Sequence, residues 1–291
     1  MEPALTGNPA GSEARLVPRG TVEHRTFFRW VIDEITAPSV VLASIVTFTI
    51  CAVLPLGFVS LTANDYLIPF PTEWFSLAMR NNPMVLLFAL LAAIPYVLPF
   101  GAQVKNGYFG YARMRGLPKR LLASRYLAAA IVSGVTFFIT GMVIFAASRL
   151  TPTRFQPEVY GLTTPEQIFE AERTYVTFSQ LLVAGPWAYG TVYSLWLGLN
   201  AAVYSCLALS CCLLVRNRLL GLALPWVATF VAAFAMAVMG LAAISPDTIF
   251  PFNLEQLPLW YPLVPFVAAV VVSGLAATVV LKRVDTLDKL Q

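Results

Sequence analysis

Charged residues are scarce in this chain, and their scarcity limits what it can do. Of its 291 residues, 12% are charged and 58% are hydrophobic, and His24 is the one histidine. A haem held inside a membrane would need paired histidines on facing helices, so this chemistry is excluded. The sequence also lacks a Gly-x4-Gly-Lys-Ser/Thr motif. It therefore has no P-loop with which to bind a nucleotide.

Cysteine is also rare. Cys51 lies in the first apolar run of the chain, and Cys206, Cys211 and Cys212 lie in the fourth. None is in a segment between the runs, so no disulfide framework is expected. Clustered cysteines can hold a metal ion, but close packing of helices through small residues is the better interpretation, because no histidine lies near them. We expect neither a metal nor a cofactor in this chain.

Apolar residues, by contrast, are grouped into long runs. Each run has about 20 residues or more, the length that crosses a hydrocarbon core ~30 Å thick. Backbone amides in that core must bond within the segment, so each run is expected to be a helix. We predict an all-α membrane protein with six transmembrane helices. The six runs are residues 38–62, 84–104, 121–148, 187–215, 219–244 and 262–281.

Acidic and basic residues are expected to lie outside these runs. We count Arg125, near the start of the third run, with the basic segment that precedes it. An acid or a base inside the membrane is the usual mark of a proton relay or an ion-coupled carrier. Both functions are therefore disfavoured.

Several prolines lie inside the runs, among them Pro55, Pro95, Pro99 and Pro225. Each removes a backbone hydrogen bond and is expected to bend its helix. Such bends are tolerated in a membrane where neighbouring groups form hydrogen bonds with the freed carbonyls. They allow helices to pack closely as often as they act as hinges for a conformational change.

The basic residues are distributed unevenly between the two ends of the spans. Fifteen of the nineteen lie on the side that holds both chain ends, and the other four are Arg80, Arg149, Arg154 and Arg173. By the positive-inside rule, both termini are predicted to be cytoplasmic, in a multi-pass protein of the cell inner or plasma membrane. Because the cations lie where topology requires them, no nucleic-acid partner is expected.

A short amphipathic helix is predicted before the first span, over residues 25–35. Apolar residues recur there at helical spacing, and charged residues take the other positions. Such a helix lies in the membrane interface, where it either anchors the first span or also supports a cytoplasmic partner. Residues 1–24 are expected to be disordered, residues 25–281 to form one six-span domain, and residues 282–291 to form a cytoplasmic tail. The helix residues of interest are Phe27, Phe28, Arg29, Val31, Ile32 and Ile35.

Three segments on the other side of the membrane also carry structural signals. Trp74 and Phe75 follow two prolines and are expected to form an aromatic belt at headgroup depth. Residues 164–167 form a capping box, which predicts a helix that ends near residue 185 and either covers the membrane or is a solvated connector. Residues 245–260, rich in proline and aromatics, are expected to form a short broken segment that dips toward the membrane.

The longest basic connection runs from residue 103 to residue 126 and contains six cations. Gly116 suits the end of one helix and Pro118 the start of the next, so a helix–break–helix corner is predicted. Tyr108, Phe109 and Tyr111 stand too close together to face one way, which leaves apolar surface outside the bilayer. Topology alone explains the cations, but it does not require the glycines and the exposed aromatics.

Together these features resemble the integral membrane subunit of type-2 ATP-binding-cassette exporters, the ABC-2 permease family. The helix at 25–35 is similar to the elbow helix of that family, and the basic corner at 105–121 to its coupling segment. Residues 245–261 are similar to its broken segment before the last span. The segment 149–186 is longer than the short turn that the family has between the third and fourth spans.

The resemblance implies a function and a set of contacts. The chain would form the translocation path of an exporter together with a second permease copy or a related chain. Two separate ATPase subunits would hold ATP and magnesium, and the chain itself would not be an enzyme. Seven residues of the corner would contact the ATPase subunit: Tyr108, Tyr111, Arg113, Arg115, Leu117, Lys119 and Arg120.

The fourth run carries a candidate lining for this path. Its polar and aromatic residues recur at i, i+4, i+7, i+11 and i+15, which places them on one stripe of a helix. Such a stripe lines a path for an apolar substrate or is a packing seam between helices. A non-transporting assembly or regulatory subunit, and less favourably an ion-coupled carrier, stay open as alternative functions. The stripe consists of Tyr189, Tyr193, Trp196, Asn200 and Tyr204.

Overall fold

Six long helices dominate the computed structural model, which describes residues 27–62, 71–80, 83–105, 118–150, 157–175, 178–249 and 258–283. Within these ranges every regular element is helical and no strand occurs. Six helices are long and apolar enough to cross a membrane, so the predicted all-α, six-span class is confirmed. We number them spans 1 to 6: Pro38–Gly57, Met84–Gln103, Lys119–Leu150, Pro186–Leu214, Arg218–Val238 and Leu263–Arg283.

Spans 1 and 2 are interrupted next to prolines. Span 1 contains an α-helix over Pro38–Phe48 and a π-helical turn over Thr49–Val53, and it ends within a second α-helix, Leu54–Thr62. Pro55 cannot donate a backbone hydrogen bond, and the wider π turn ends two residues before it.

In span 2, helices Met84–Ala93 and Val97–Lys105 are separated by a turn that contains Pro95. Span 5, by contrast, remains helical through Pro225. Proline therefore interrupts the helices of the first two spans but not that of the fifth.

Spans 3 and 4 form the centre of the bundle and pack along their length. A side chain on Gly198 would place its Cβ 2.6 Å from the carbonyl oxygen of Gly134. Between the same helices, Ser133 Oγ donates to Ser205 Oγ at 2.9 Å. Small residues at a helix interface allow the two backbones to approach closely, and hydrogen bonds then hold them together.

The bundle has two distinct ends. At one end the elbow helix, Phe27–Ile35, packs against span 3, and its Val31 shares a buried cluster with Leu122, Leu213 and Val280. We call this end the elbow face and the opposite end the cap face. The elbow face holds the start of span 3 and the ends of spans 4 and 6.

The cap face is closed by two short helices. The embedded helix, Pro71–Arg80, buries Trp74 and Phe75 almost completely and packs against span 3. The predicted aromatic belt is therefore wrong for these two residues, because they fill the protein interior and do not face headgroups. The cap helix, Pro165–Tyr175, begins at the predicted capping box, where Gln167 N donates to Thr164 Oγ1 at 3.3 Å.

The cap helix ends earlier than predicted, and short turns complete this face. A 3-10 turn, Ser179–Ala184, follows it after Phe178, which has a left-handed φ of 64°. Another 3-10 turn, Pro157–Tyr160, precedes the cap helix. After span 5 the chain forms two more such turns, Ala242–Ile244 and Pro246–Ile249.

Candidate functional site

The elbow helix divides its apolar residues between the protein and its surroundings. Val31 is buried, and Phe27 and Ile35 pack partly against the same cluster. Phe28 and Ile32 face outward, with exposed fractions of 70% and 58%. Outward apolar side chains beside charged ones are typical of a helix that lies in the membrane interface. Arg29 is also exposed.

A buried ion pair attaches this helix to span 3. Arg125 Nη1 pairs with Glu34 Oε2, and the two side chains are only 6% and 19% exposed. The same nitrogen donates to the Tyr96 hydroxyl of span 2 at 3.3 Å. The guanidinium carbon also lies 5.1 Å from the centre of the Phe100 ring, a cation–π distance. One arginine therefore joins the elbow helix, span 2 and span 3.

This pair corrects the prediction that acidic and basic residues lie outside the spans. Arg125 lies inside the helix of span 3 and is 5% exposed. A charge can be buried there because an opposite charge and further polar contacts surround it. The sequence did contain two signals of this pair, an arginine within an apolar run and an acid in the amphipathic helix before the first span. Because 91 residues separate Glu34 from Arg125, the sequence did not show that the two side chains meet.

A second polar contact at the elbow face holds span 2 to the start of span 5. Arg218 Nη1 donates to the carbonyl oxygen of Gly101 at 2.7 Å. The Asn217 side chain caps span 5 by accepting from Leu219 N at 3.1 Å. These two contacts fix the start of span 5 at the elbow face.

The predicted coupling corner lies mostly outside the described residues. Lys119 and Arg120 are both exposed in the first turn of span 3. They lie at the same end of this helix as Arg125 and the elbow helix. The other five predicted contact residues are outside the described ranges, and their role stays a prediction: Tyr108, Tyr111, Arg113, Arg115 and Leu117.

The predicted path stripe lies in the interior of the chain. All five of its residues are buried: Tyr189, Tyr193, Trp196, Asn200 and Tyr204. Phe75 of the embedded helix packs edge-to-face on Tyr193, with ring centres 5.4 Å apart. The Tyr193 hydroxyl donates to the carbonyl oxygen of Ile249 at 2.6 Å. Within one chain the stripe is a packing seam, the alternative that the sequence left open, and its role as a path lining stays a prediction.

A groove runs between spans 2 and 5 next to this seam. It has a volume of about 310 Å³, and Tyr204 is the one stripe residue that borders it. Trp226 Nε1 donates to the carbonyl oxygen of Leu86 at 2.7 Å and so joins the two spans along the groove. The turn Pro246–Ile249 closes its cap-face end and contributes Asp247. Partial burial raises the pKa of the Asp247 carboxyl.

A polar cluster at the cap face mirrors the pair at the elbow face. Arg149 Nη2, near the end of span 3, lies 3.0 Å from Glu172 Oε1 of the cap helix. The same carboxylate oxygen accepts from the Thr72 backbone N–H at 3.2 Å and also from the Thr72 hydroxyl. The sequence predicted the helix that carries Glu172, but not this contact between segments 100 residues apart.

The described residues contain no group of three His, Cys, Asp or Glu side chains that could hold a metal ion. Cys206 and Cys212 instead contact backbone oxygens, with Sγ 3.6 Å from Tyr126 O and 3.6 Å from Arg218 O respectively. These contacts agree with the helix-packing interpretation of the cysteines.

No known family, curated protein or solved structure matches this chain.

Proposed function

We propose that this chain is the permease subunit of an ATP-driven exporter. In this proposal two ATPase subunits dock on the elbow face, and a second permease copy or a related chain completes the translocation path. The observation that carries the proposal is the Glu34–Arg125 pair. It fixes the elbow helix to the span that begins directly after the basic segment 106–117.

The proposed coupling follows from these contacts. A partner that pushes on the basic segment moves the start of span 3, where Lys119 and Arg120 are exposed. The elbow helix moves with it, because a buried ion pair resists separation of its two charges. Span 4 follows, because its backbone contacts that of span 3 at Gly134 and Gly198. Three elements would thus respond together to one partner.

The buried charges do not favour the alternative of an ion-coupled carrier. Such carriers place titratable groups along the path that the ion takes through the membrane. Here Arg125 and Arg149 lie near opposite ends of span 3, and each is paired with a glutamate. They are 24 residues apart, about 36 Å along a helix. No acidic residue lies within the helix between them.

Co-purification from native membranes tests the proposal. We expect an ATPase subunit to accompany the chain in near-equal amount, and the purified chain alone to show no saturable ATP binding. If the chain purifies with other membrane proteins and no ATPase, the proposal is wrong and the assembly or regulatory subunit becomes the better interpretation.

Substitutions in the corner make the test sharper. Loss of a buried aromatic or apolar anchor at an interface costs about 2 kcal/mol or more, whereas loss of an exposed ion pair costs about 0–1 kcal/mol. Tyr111→Ala and Leu117→Ala should therefore reduce the yield of the complex and its coupled ATPase activity more than Arg115→Ala does. Membrane insertion, measured as the amount of folded chain in the membrane fraction, should be the same in all three.

The coupling hypothesis has a clear failing result. Unchanged complex yield and unchanged coupled ATPase activity in Tyr108→Ala, Tyr111→Ala and Leu117→Ala would exclude docking through this corner.

A further inference from the structure

We propose that the groove between spans 2 and 5 binds a lipophilic organic cation, a molecule with one positive charge and an apolar or aromatic body. The proposal concerns binding by this chain alone. It does not depend on the proposed coupling to an ATPase.

The walls of the groove suit an apolar body. Phe88, Tyr204, Trp226, Phe230 and Phe234 all line it. Aromatic faces attract cations as well as apolar groups, so such walls accept a charged molecule whose charge is spread over an organic body. Binding pockets for small organic ligands begin at about 300 Å³, and this groove has about 310 Å³.

The groove is also open along the side that faces the lipid. Phe230 and Phe234, on the outer wall, are 52% and 66% exposed, whereas Ala233 between them is buried at its base. A ligand that has partitioned into the bilayer can therefore enter sideways. Water-soluble ligands without an apolar body would not reach this entrance.

One carboxylate marks the cap-face end of the groove. Asp247 lines it, and no basic side chain among the described residues pairs with that carboxylate. Asp247 lies outside the spans. Its turn is nevertheless held close to span 4, because the Tyr193 hydroxyl donates to the carbonyl oxygen of Ile249, and Tyr193 lies seven residues after the start of that span. Seven residues correspond to about 10 Å of helix. Asp247 is itself exposed at this edge, so its carboxylate can meet the positive charge of a ligand that lies in the groove.

Charge and size together select the occupant. An anionic amphiphile would be repelled by Asp247, and a neutral one would gain no attraction from it. A whole phospholipid, although its head group can carry an ammonium, is too large to lie within about 310 Å³. A free lipophilic cation satisfies both the carboxylate and the aromatic walls.

The test uses two ions of nearly the same size and shape but opposite charge. Equilibrium binding of radiolabelled tetraphenylphosphonium and tetraphenylborate is measured on the whole chain in nanodiscs of zwitterionic lipid, with empty nanodiscs subtracted. We expect saturable binding of tetraphenylphosphonium, not displaced by tetraphenylborate. Absence of saturable cation binding, or equal saturable binding of the anion, would overturn the proposal.

Two pairs of variants locate the site. Asp247→Asn should weaken cation binding about tenfold or more, while Glu158→Gln, an exposed acid elsewhere on the cap face, should not change it. Ala237→Trp should block the groove, while Ala268→Trp, at an exposed position of span 6 outside the groove, should leave binding intact. Both alanines are exposed, so neither tryptophan enters the core. Equal affinity in the two members of either pair would place the bound cation elsewhere and refute the assignment.

Discussion

At the scale of single residues, two arginines inside or next to span 3 determine how the peripheral helices attach. Arg125 holds the elbow helix through Glu34, and Arg149 holds the cap helix through Glu172. A buried pair contributes little net stability compared with apolar residues of the same shape, but removal of one partner leaves an uncompensated charge. These arginines therefore favour one arrangement of the helices more than they add to stability.

The first residue-scale prediction concerns Glu34. Replacing it by Gln leaves Arg125 buried without its carboxylate and should destabilise the folded chain by about 3 kcal/mol. The measurement is the thermal unfolding midpoint of the chain in nanodiscs. Asp33→Asn, an exposed neighbour on the same helix, is the matched control and should change little. The double variant Glu34→Gln with Arg125→Gln should regain part of the lost stability, because it removes both charges of the pair. If its unfolding midpoint falls by the sum of the decreases in the two single variants, the two side chains do not interact and the ion-pair argument is wrong.

The second residue-scale prediction concerns the contact of spans 3 and 4. In Gly198→Ala the new Cβ would lie 2.6 Å from Gly134 O, so the two backbones must separate. Overpacking of this kind costs about 1–3 kcal/mol. Gly274→Ala is the control, because a Cβ at that position meets no atom within 4 Å. A lower unfolding midpoint for Gly198→Ala alone is expected, and equal midpoints would show that the helix interface adapts without cost.

At the scale of elements, the cap helix is attached by one carboxylate. Glu172 accepts from Arg149 and from Thr72, whereas Glu170 on the same helix is exposed and pairs with the neighbouring Arg173 at 3.7 Å. Glu172 thus joins the cap helix to both span 3 and the embedded helix.

Glu172→Gln should therefore loosen the cap helix. A neutral amide cannot balance Arg149, which becomes a buried charge without a partner. We expect faster amide hydrogen exchange over residues 165–175, with the six spans unaffected. Glu170→Gln should exchange like the unsubstituted chain, because its partner is exposed to water. Equal exchange rates in the two variants would mean that other contacts hold this helix.

At the scale of the whole molecule, the basic residues lie mostly at one end. Among those whose side chains the structure describes, Arg149 and Arg173 lie at the cap face, and all the others lie at the elbow face. The positive-inside rule then predicts that the elbow face is cytoplasmic and the cap face external. Lys119, Arg120, Lys282 and Arg283 are exposed there, in agreement with contacts to water and lipid phosphates.

Cysteine labelling checks this topology. Glu170→Cys on the cap helix should react with a membrane-impermeant maleimide added outside intact cells, and Arg120→Cys should react only after the membrane is opened. Both positions are exposed. The four native cysteines lie within or between the helices of the spans and are not exposed, so they give a low background. The opposite labelling pattern would invert the molecule in the membrane.

The features that could be predicted from the sequence are those that depend on neighbouring residues alone. A run of about 20 apolar residues forms a helix in lipid whatever its partners are, so all six spans were located. The capping box and the elbow helix are equally local, and both were found. Contacts between segments far apart in the chain could not be predicted, because no local sequence pattern indicates them. Examples are Glu34–Arg125, Thr72–Glu172 and Tyr193–Ile249.

Burial inside the bundle was decided by the tertiary structure alone. Spans 2 and 6 are both strongly apolar, yet 56% of the first and 11% of the second is buried in the protein. Lipid tails and protein interiors are equally apolar, so composition does not tell a helix that faces lipid from one that faces other helices. For the same reason the sequence located the stripe from Tyr189 to Tyr204 on one helix face, but only the packed structure showed that this face is a seam and that the open groove lies beside it.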